Sequence, residues 1–489
     1  MQAHFGTDGI RGRANESLTV DMAYRIGQFL SSMKKKQKIL IGRDTRLSSG
    51  MLQAALASGI TACGSDAYLL EVCSTPSLVY LVRNEKFDFG IMITASHNPF
   101  YDNGIKIISS SGSKIDSQLE EKIEDYIYSD QQLPLAIAND IGKLVNYHQG
   151  LQVYYDYLYK EFPMDLSDFS VIVDCANGST SEIAPIVFKH FNSKLTVIDN
   201  QPDGLNINKD CGSTHIERLA EIVKKGNYDV GFGYDGDGDR VIAVAKDGQI
   251  VDGDKMLYCC GKYLKDKGQL KNGKIVTTVM ANLGLFKKLD EYGIGYEKTA
   301  VGDKYVYKCM MENGYVVGGE QSGHIIFSDH ATTGDGLLTS LVLLSIMIET
   351  KKSLNQLTDD LFVYPQVLIN VNVKDKNTVL SDERLKEISQ KISAIFKICG
   401  DDIDASLSDE MIIQPAIMMH FISIYELFRG IQEQNDIEAL SLFSKEETQT
   451  LYRIRNIALY EYEKIDFSMI KIAIESHLPK IRQNILMLN

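Results

Sequence analysis

The feature that most constrains this chain is a rhythm. Short β-branched runs, each closed by Gly, Asp or Ser, alternate with amphipathic stretches up to about residue 350, as in KILIGRD (38–44), FGIMITAS (89–96), SVIVDCANG (170–178) and DVGFGYDG (229–236). Buried strands feeding helices in this way predict an α/β architecture. In a parallel sheet, ligands collect beyond the carboxyl ends of the strands. The polar residues that close each run are therefore the first candidates for function. One block runs to about Asn146, a second from Val171 to Val251 and a third from Lys274 to Thr350, all with the same layout. FVYPQVLINVNV (362–373) reads as strands of a fourth unit, followed by a helix at Asp382–Phe396. After about Gly400 the rhythm stops. From Asp409 to Asn489 glycine almost vanishes and apolar residues recur at helical spacing, with Ser444 and Glu447 spaced as a capping box.

A length of 489 residues exceeds a single core and predicts three or four domains. A hydrophobic fraction of 44% with 24% charged residues is that of a soluble protein. The net charge of −14 argues against a nucleic-acid or anionic-membrane surface. A small anionic substrate needs only a few local cations and stays allowed. The 8 cysteines form no CxxC, which predicts reduced thiols. MQAHFGTDGIRGR has no apolar core of a signal peptide, and the apolar run Leu337–Ile348 is too short to span a bilayer. The expectation is a cytoplasmic protein that binds neither nucleic acid nor membrane.

Asp235-Gly-Asp237-Gly-Asp239-Arg240 is the strongest local signal. Three alternating carboxylates separated by glycines can fold around one hard cation. An EF-hand would need glycine and glutamate where Arg240 and Lys246 stand. Gly231, Gly233 and Gly236 spell GxGxxG, but a dinucleotide site must open a helix. RVIAVAKDGQIV reads instead as strand, turn and strand. An acidic turn in solvent is the remaining alternative, and a position at the end of a buried strand weighs against it.

Thr94-Ala-Ser96-His97-Asn98-Pro99, followed by Asp102-Asn103-Gly104 and Lys106, places a serine just after an apolar strand, where backbone N–H groups favour phosphate. Ordinary turn chemistry explains that stretch equally well on its own. Gly318-Gly319-Glu320-Gln321-Ser322-Gly323-His324 offers donors and acceptors suited to sugar hydroxyls. Thr7-Asp8-Gly9-Ile10-Arg11-Gly12 and Gly42-Arg43-Asp44-Thr45-Arg46 put arginines on loops, which suits phosphate, or else forms plain surface turns.

Taken in order, FGTDGIRG, TASHNPFYDNGIK, PDGLNINKDCGSTH, YDGDGDR and GGEQSGH resemble the α-D-phosphohexomutases from about residue 3 to about residue 400. FGTDGIRG, CGSTH and GEQSGH look most like the wording of bacterial phosphoglucosamine mutases. The resemblance implies a phosphate carried on Ser96 and one magnesium per chain on Asp235, Asp237, Asp239 and a phosphoserine oxygen. It implies glucosamine 6-phosphate and glucosamine 1-phosphate as the hexosamine phosphates interconverted, with mannose and glucose phosphates as the alternative. Lys106, Arg240 and His324 become candidates for proton transfer. Arg11 matches the family's N-terminal arginine, and Glu320 and Ser322 would hold sugar hydroxyls. Val301-Gly-Asp303-Lys304-Tyr305 matches its substrate loop, although a plain turn explains that stretch as well.

The implied architecture is three consecutive α/β mutase domains, a truncated fourth α+β domain and a C-terminal all-α helical module. Their ranges are 1–150 with the phosphoserine, 151–253 with the metal loop, 254–361 with the sugar loop, 362–400, and 401–489. The fourth unit lacks the loop of the form R-P-S-G-T-E-P that in the family grips the non-transferring phosphate, which predicts impaired turnover. The tail resembles the HEPN toxins in QPAIMMHFISIYELF and in Arg455 and Tyr462, with a turn at Ser476-His-Leu-Pro479. Tyr460 stands where that family has its histidine, so no ribonuclease activity is expected. A packing or dimerisation module is the favoured reading of the tail, and a homodimer or a protein partner docked on it is the matching expectation. A degenerate mutase acting as a binding module is the alternative for the whole chain.

Overall fold

The computed structural model describes residues 3–6, 8–366, 383–400, 402–409, 411–433, 437–460 and 467–486. Thr7, Tyr462 and most of the strand expected at 362–373 lie outside these residues; the described part, 362–366, carries no regular structure. The chain forms two compact units, Met1–Pro365 and Gln366–Asn489.

The first unit holds three sheets built on one plan. Strand Lys38–Arg43 lies between Asp66–Val72 and Phe89–Ile93, all parallel, and Asp102–Ser109 returns antiparallel on Phe89–Ile93. Ser170–Asp174 lies between Lys194–Ile198 and Val230–Tyr234, all parallel, and Val241–Ala245 returns antiparallel on Val230–Tyr234. Lys274–Thr278 lies between Gly295–Thr299 and Val317–Gly319, all parallel, and Ile325–Phe327 returns antiparallel on Val317–Gly319. In strand order each is 2-1-3-4, with only the last strand reversed. The first sheet extends further through Gly9–Arg13 and Phe5–Gly6 on one edge and Leu144–Asn146 on the other.

This repetition places the candidate residues. The turn from third to fourth strand spans 94–101 in the first sheet, 235–240 in the second and 320–324 in the third. Those are the loops of Ser96, of the three aspartates and of Glu320 to His324. The strands feeding them are apolar because both faces are covered: every residue of Val230–Tyr234 and of Val241–Ala245 is buried. The apolar run at Leu337–Ile348 is a buried helix, Gly336–Thr350, capped by Asp335. No helix among the described residues is long and apolar enough to cross a membrane.

Every regular element described in the second unit is helical: Glu383–Cys399, Ile403–Ser408, Ile413–Glu433, Ile437–Leu440, Lys445–Tyr460, Phe467–Ile472 and Leu478–Leu486, with a π-helical turn at Ala473–His477. Ser444 and Glu447 form the reciprocal capping box, with Ser444 N–H donating to Glu447 at 2.7 Å and Glu447 N–H donating to Ser444 Oγ at 3.1 Å. The helix Glu383–Cys399 shares one core with the tail: Leu385, Ile388, Ile392 and Ile395 pack with Ile417, Phe421, Ile454 and Ile481. The turn expected at Ser476–Pro479 is helical instead. Phe467–Ile472, the π-turn Ala473–His477 and Leu478–Leu486 follow one another without a break, and the π-turn sits directly before Pro479, whose missing N–H cannot continue the ordinary helical ladder.

Candidate active site

Ser96 is buried, at 1% exposure, with φ at +50°. A left-handed serine is costly and persists only where its surroundings hold it. Here the hold is extensive. Ser96 N–H donates to Thr94 Oγ1 at 2.9 Å, and Ser96 C=O accepts from Arg46 Nη2 and from Asn208 Nδ2, each at 2.9 Å. Arg46 also donates to the carbonyls of Asn98 at 2.9 Å and Asp102 at 3.0 Å, and to that of Pro99. Its remaining Nε lies 2.7 Å from the buried Asp44 carboxylate. Arg46, suited on sequence either to phosphate or to a plain surface turn, instead spends its guanidinium inside the serine loop. Arg43 pairs with Glu71 at 3.0 Å. Glycine at 236 is required, because a Cβ there would sit 2.5 Å from Ser96 C=O.

Ser96 Oγ donates to Asp235 Oδ2 at 2.6 Å. Carboxylate oxygens of Asp235, Asp237 and Asp239 lie within 4.8 Å of one another, all three residues buried. Burial pushes the Asp235 carboxyl well above its ordinary range, and the neighbouring Asp239 and Asp237 charges push it further. Asp237 Oδ2 accepts from Thr75 Oγ1 at 2.5 Å and from Lys106 Nζ at 2.9 Å. Asp237 Oδ1 and Asp239 Oδ1 are buried and accept no hydrogen bond. Orphaned anionic oxygens in an all-oxygen set fit a hard divalent cation such as magnesium.

Lys106 and His324 face the same centre. Burial alone would lower the Lys106 ammonium, but Asp237, Asp8 and Asp239 outweigh it and hold it charged. Its Nζ lies 3.0 Å from Asp8 and 3.5 Å from Asp239. His324 Nε2 accepts the Gly334 N–H at 2.8 Å, which assigns the proton to Nδ1, 3.7 Å from Asp239. Burial works against the imidazolium, and Asp239 and Asp303 more than offset it, so His324 titrates above its ordinary value. Arg240 lies 3.8 Å from Asp239, and its backbone N–H donates to Asp235 at 3.2 Å. His97, 3.4 Å from Ser96 Oγ, is pushed down to about 4 by burial and by Arg240 and Arg11, so it stands neutral.

The expected substrate residues meet this centre unequally. Glu320 accepts the Gly302 N–H at 3.0 Å, which joins the 320–324 loop to the loop of Asp303 and Lys304. Asp303 is taken up by Lys114 at 2.8 Å, leaving Lys304 as that loop's cation. Ser322 is exposed and Arg11 half-buried, paired with Asp8. Thr75 and Lys114 escape sequence reasoning, and Asp8 and Asn208 lie in recognised motifs without being singled out there. Asp8 sits beside Arg11 in a motif that stands out, whereas nothing in the local wording marks Thr75 or Lys114.

Three α/β domains with a serine loop, an acidic triad and a sugar-type polar loop at equivalent turns define a phosphohexomutase architecture. The descriptions of phosphoglucomutase/phosphomannomutase alpha/beta/alpha domains I, II and III match residues 2–133, 152–248 and 252–364. A phosphoglucosamine mutase of Lachnoclostridium phytofermentans is 50% identical over 396 residues, 80% of this chain and 88% of that protein. One of Lachnospira eligens is 47% identical over 409 residues, 82% of this chain and 90% of that protein. The chain belongs to the phosphoglucomutase/phosphomannomutase family, and within it to the phosphoglucosamine mutases. A Burkholderia thailandensis phosphoglucomutase/phosphomannomutase family protein has a TM-score of 0.67 at 24% identity, covering 79% of this chain and 85% of that one, and shares the fold.

Proposed function

We propose that this chain interconverts glucosamine 6-phosphate and glucosamine 1-phosphate by way of a phosphate carried on Ser96. The observation that carries this reading is Ser96 Oγ at 2.6 Å from Asp235, inside a buried triad with two orphaned oxygens. The curated relatives, about half identical over most of the chain, support glucosamine as the sugar. The phosphoryl group leaves Ser96 Oγ for the sugar O1 as that hydroxyl gives up its proton. The resulting bisphosphate turns over in the site, and its 6-phosphate returns to Ser96 Oγ, leaving glucosamine 1-phosphate.

Such transfers depend on positioning and charge neutralisation more than on covalent chemistry. One magnesium, held by Asp235, Asp237, Asp239 and an oxygen of phosphorylated Ser96, would neutralise charge on the transferred group. Lys106 and Arg240 supply positive charge beside it, Lys106 being held charged by Asp237, Asp8 and Asp239. His324 is the one of the three proton-transfer candidates that changes charge nearest neutrality. Glu320 and Ser322 take sugar hydroxyls, and Lys304 and Arg11 face substrate anions, with the Asp303 carboxylate spent on Lys114. Cytoplasmic residence fits this chemistry.

The test is the purified full chain given glucosamine 6-phosphate, mannose 1-phosphate and glucose 1-phosphate in parallel. Preferred turnover of glucosamine 6-phosphate is expected; preference for either other sugar moves the chain to the phosphomannomutase/phosphoglucomutase reading. A second reading, a degenerate mutase that binds through its helical tail, draws on one sequence fact: the R-P-S-G-T-E-P loop is missing. The tail itself is proposed as a HEPN-like packing module that forms a homodimer or docks a protein partner. Arg455 there is taken up by Glu426 at 3.1 Å, in keeping with a structural part. No RNA cleavage is expected from it, and cleavage abolished by Arg455→Ala would contradict that reading.

A further inference from the structure

Five charges alternate in sign from the metal loop to the third domain. Lys106 Nζ lies 2.9 Å from Asp237 and 3.0 Å from Asp8 Oδ2. Lys114 Nζ lies 2.7 Å from Asp8 Oδ1 and 2.8 Å from each carboxylate oxygen of Asp303. Asp303 opens the helix Asp303–Asn313, and its carboxylate also accepts the backbone N–H of Lys304 at 2.9 Å. Gly302 N–H, one residue before Asp303, is held by Glu320 at 3.0 Å. Isolated surface ion pairs contribute little. This chain of charges is different, because Lys106 and Asp237 are buried and neither Lys114 nor Asp303 is fully exposed.

We infer that Asp8 and Lys114 are positioning residues that tie the Lys106 ammonium to the Gly302–Lys304 loop, so that the seating of the sugar loop fixes where the cation beside the transferred phosphate stands. The inference rests on the mutase reading. Without Lys114, Lys106 keeps its charge and its contacts with Asp237 and Asp8, but Asp8, left to Arg11 and Lys106, is no longer tied to the Gly302–Lys304 loop. The transferred phosphate then meets a less well placed cation, while Glu320 and Ser322, the groups proposed to hold the sugar hydroxyls, are themselves untouched by the substitution.

The test is steady-state turnover of glucosamine 6-phosphate by the full chain carrying Lys114→Gln, Lys114→Arg, Asp303→Asn, Asp8→Asn or the Lys114→Gln/Asp303→Asn pair, with thermal melting of each. Lys114→Gln is expected to lower kcat about tenfold with KM within about twofold of wild type. Lys114→Arg, which keeps charge and reach, is expected to recover kcat to within about threefold. Asp8→Asn is expected to lose at least as much kcat as Lys114→Gln. Adding Asp303→Asn to Lys114→Gln is expected to cost less than about twofold more, because both remove one bridge. Should Lys114→Gln melt before it can be assayed, Asp303→Asn carries the same kcat-against-KM reading. An unchanged kcat in Lys114→Gln and Asp303→Asn, or single losses that multiply in the double variant, overturns the inference and leaves the mutase reading standing. A wild-type chain that turns over no hexose phosphate overturns both.

Discussion

Two clusters of ligand-type side chains stand at the ends of neighbouring strands of the second sheet, and only one of them has the makings of a site. Asp174, Asp199 and Cys211 lie as close together as Asp235, Asp237 and Asp239, with ligand atoms within 4.8 Å in each group. In the first group the valences are spent. Asp174 accepts from the backbone N–H groups of Ala176 and Gly212, each at 2.9 Å, and Asp199 pairs with Arg218 at 2.5 Å. Cys211 Sγ lies 3.8 Å from the Asn177 amide. In the second group two carboxylate oxygens have no hydrogen-bond donor, and Ser96 and Lys106 converge on the oxygens beside them. Clustering is common to both, and Asp174 and Cys211 are as buried as the three aspartates, Asp199 alone being half-buried; the buried, unspent acceptor is what separates a place for a cation from a brace for a loop.

The largest expected effect breaks the comparison directly. Asp237→Asn is expected to lower turnover about a hundred- to a thousandfold, the scale of removing one preorganised electrostatic group. Asp174→Asn is expected to leave turnover within about threefold. Equal losses in a coupled assay would show that both clusters serve the chemistry. Arg46 sharpens the contrast, since it is a buried charge whose donors are all spent within its own domain. Arg46→Met strands Asp44 and is expected to cost about 3 kcal/mol in urea unfolding. A loss under about 1 kcal/mol would mean that the serine loop holds itself.

The smallest effect concerns pH. Burial pushes the Asp174 carboxyl up to about 6, its two N–H donors opposing. An unfolded carboxyl titrates near about 3.9, so between about pH 4 and 6 the folded state binds more protons than the unfolded one. This group's contribution to stability therefore falls as pH rises through that window. Asp174→Asn is expected to remove roughly 1–2 kcal/mol of the stability change accumulated across that window. Identical slopes for variant and wild type would contradict this.

Much of the first unit is legible in the sequence because its signals are local. A β-branched run closed by a polar cluster marks a strand and its end, and all three candidate loops lie at such strand ends. Side-chain direction is not legible. GRDTR (42–46) carries two arginines suited to phosphate, but tertiary packing turns Arg46 into the serine loop and Arg43 toward Glu71. Lys114 stands out only in the structure, where the fold brings Asp8 and Asp303, far apart along the chain, to the same ammonium. The helix Glu383–Cys399 likewise has an ordinary amphipathic pattern that does not say which core it joins; its partners are the tail helices.

The measurement that tests the central claim most directly is the intact mass of the full chain before and after glucosamine 6-phosphate is added. One phosphate is expected on the chain, absent from Ser96→Ala and lost from the wild type as bisphosphate forms under substoichiometric turnover. A chain that never carries phosphate, or carries one that substrate does not remove, would contradict a transfer centre built on Ser96 and the three aspartates.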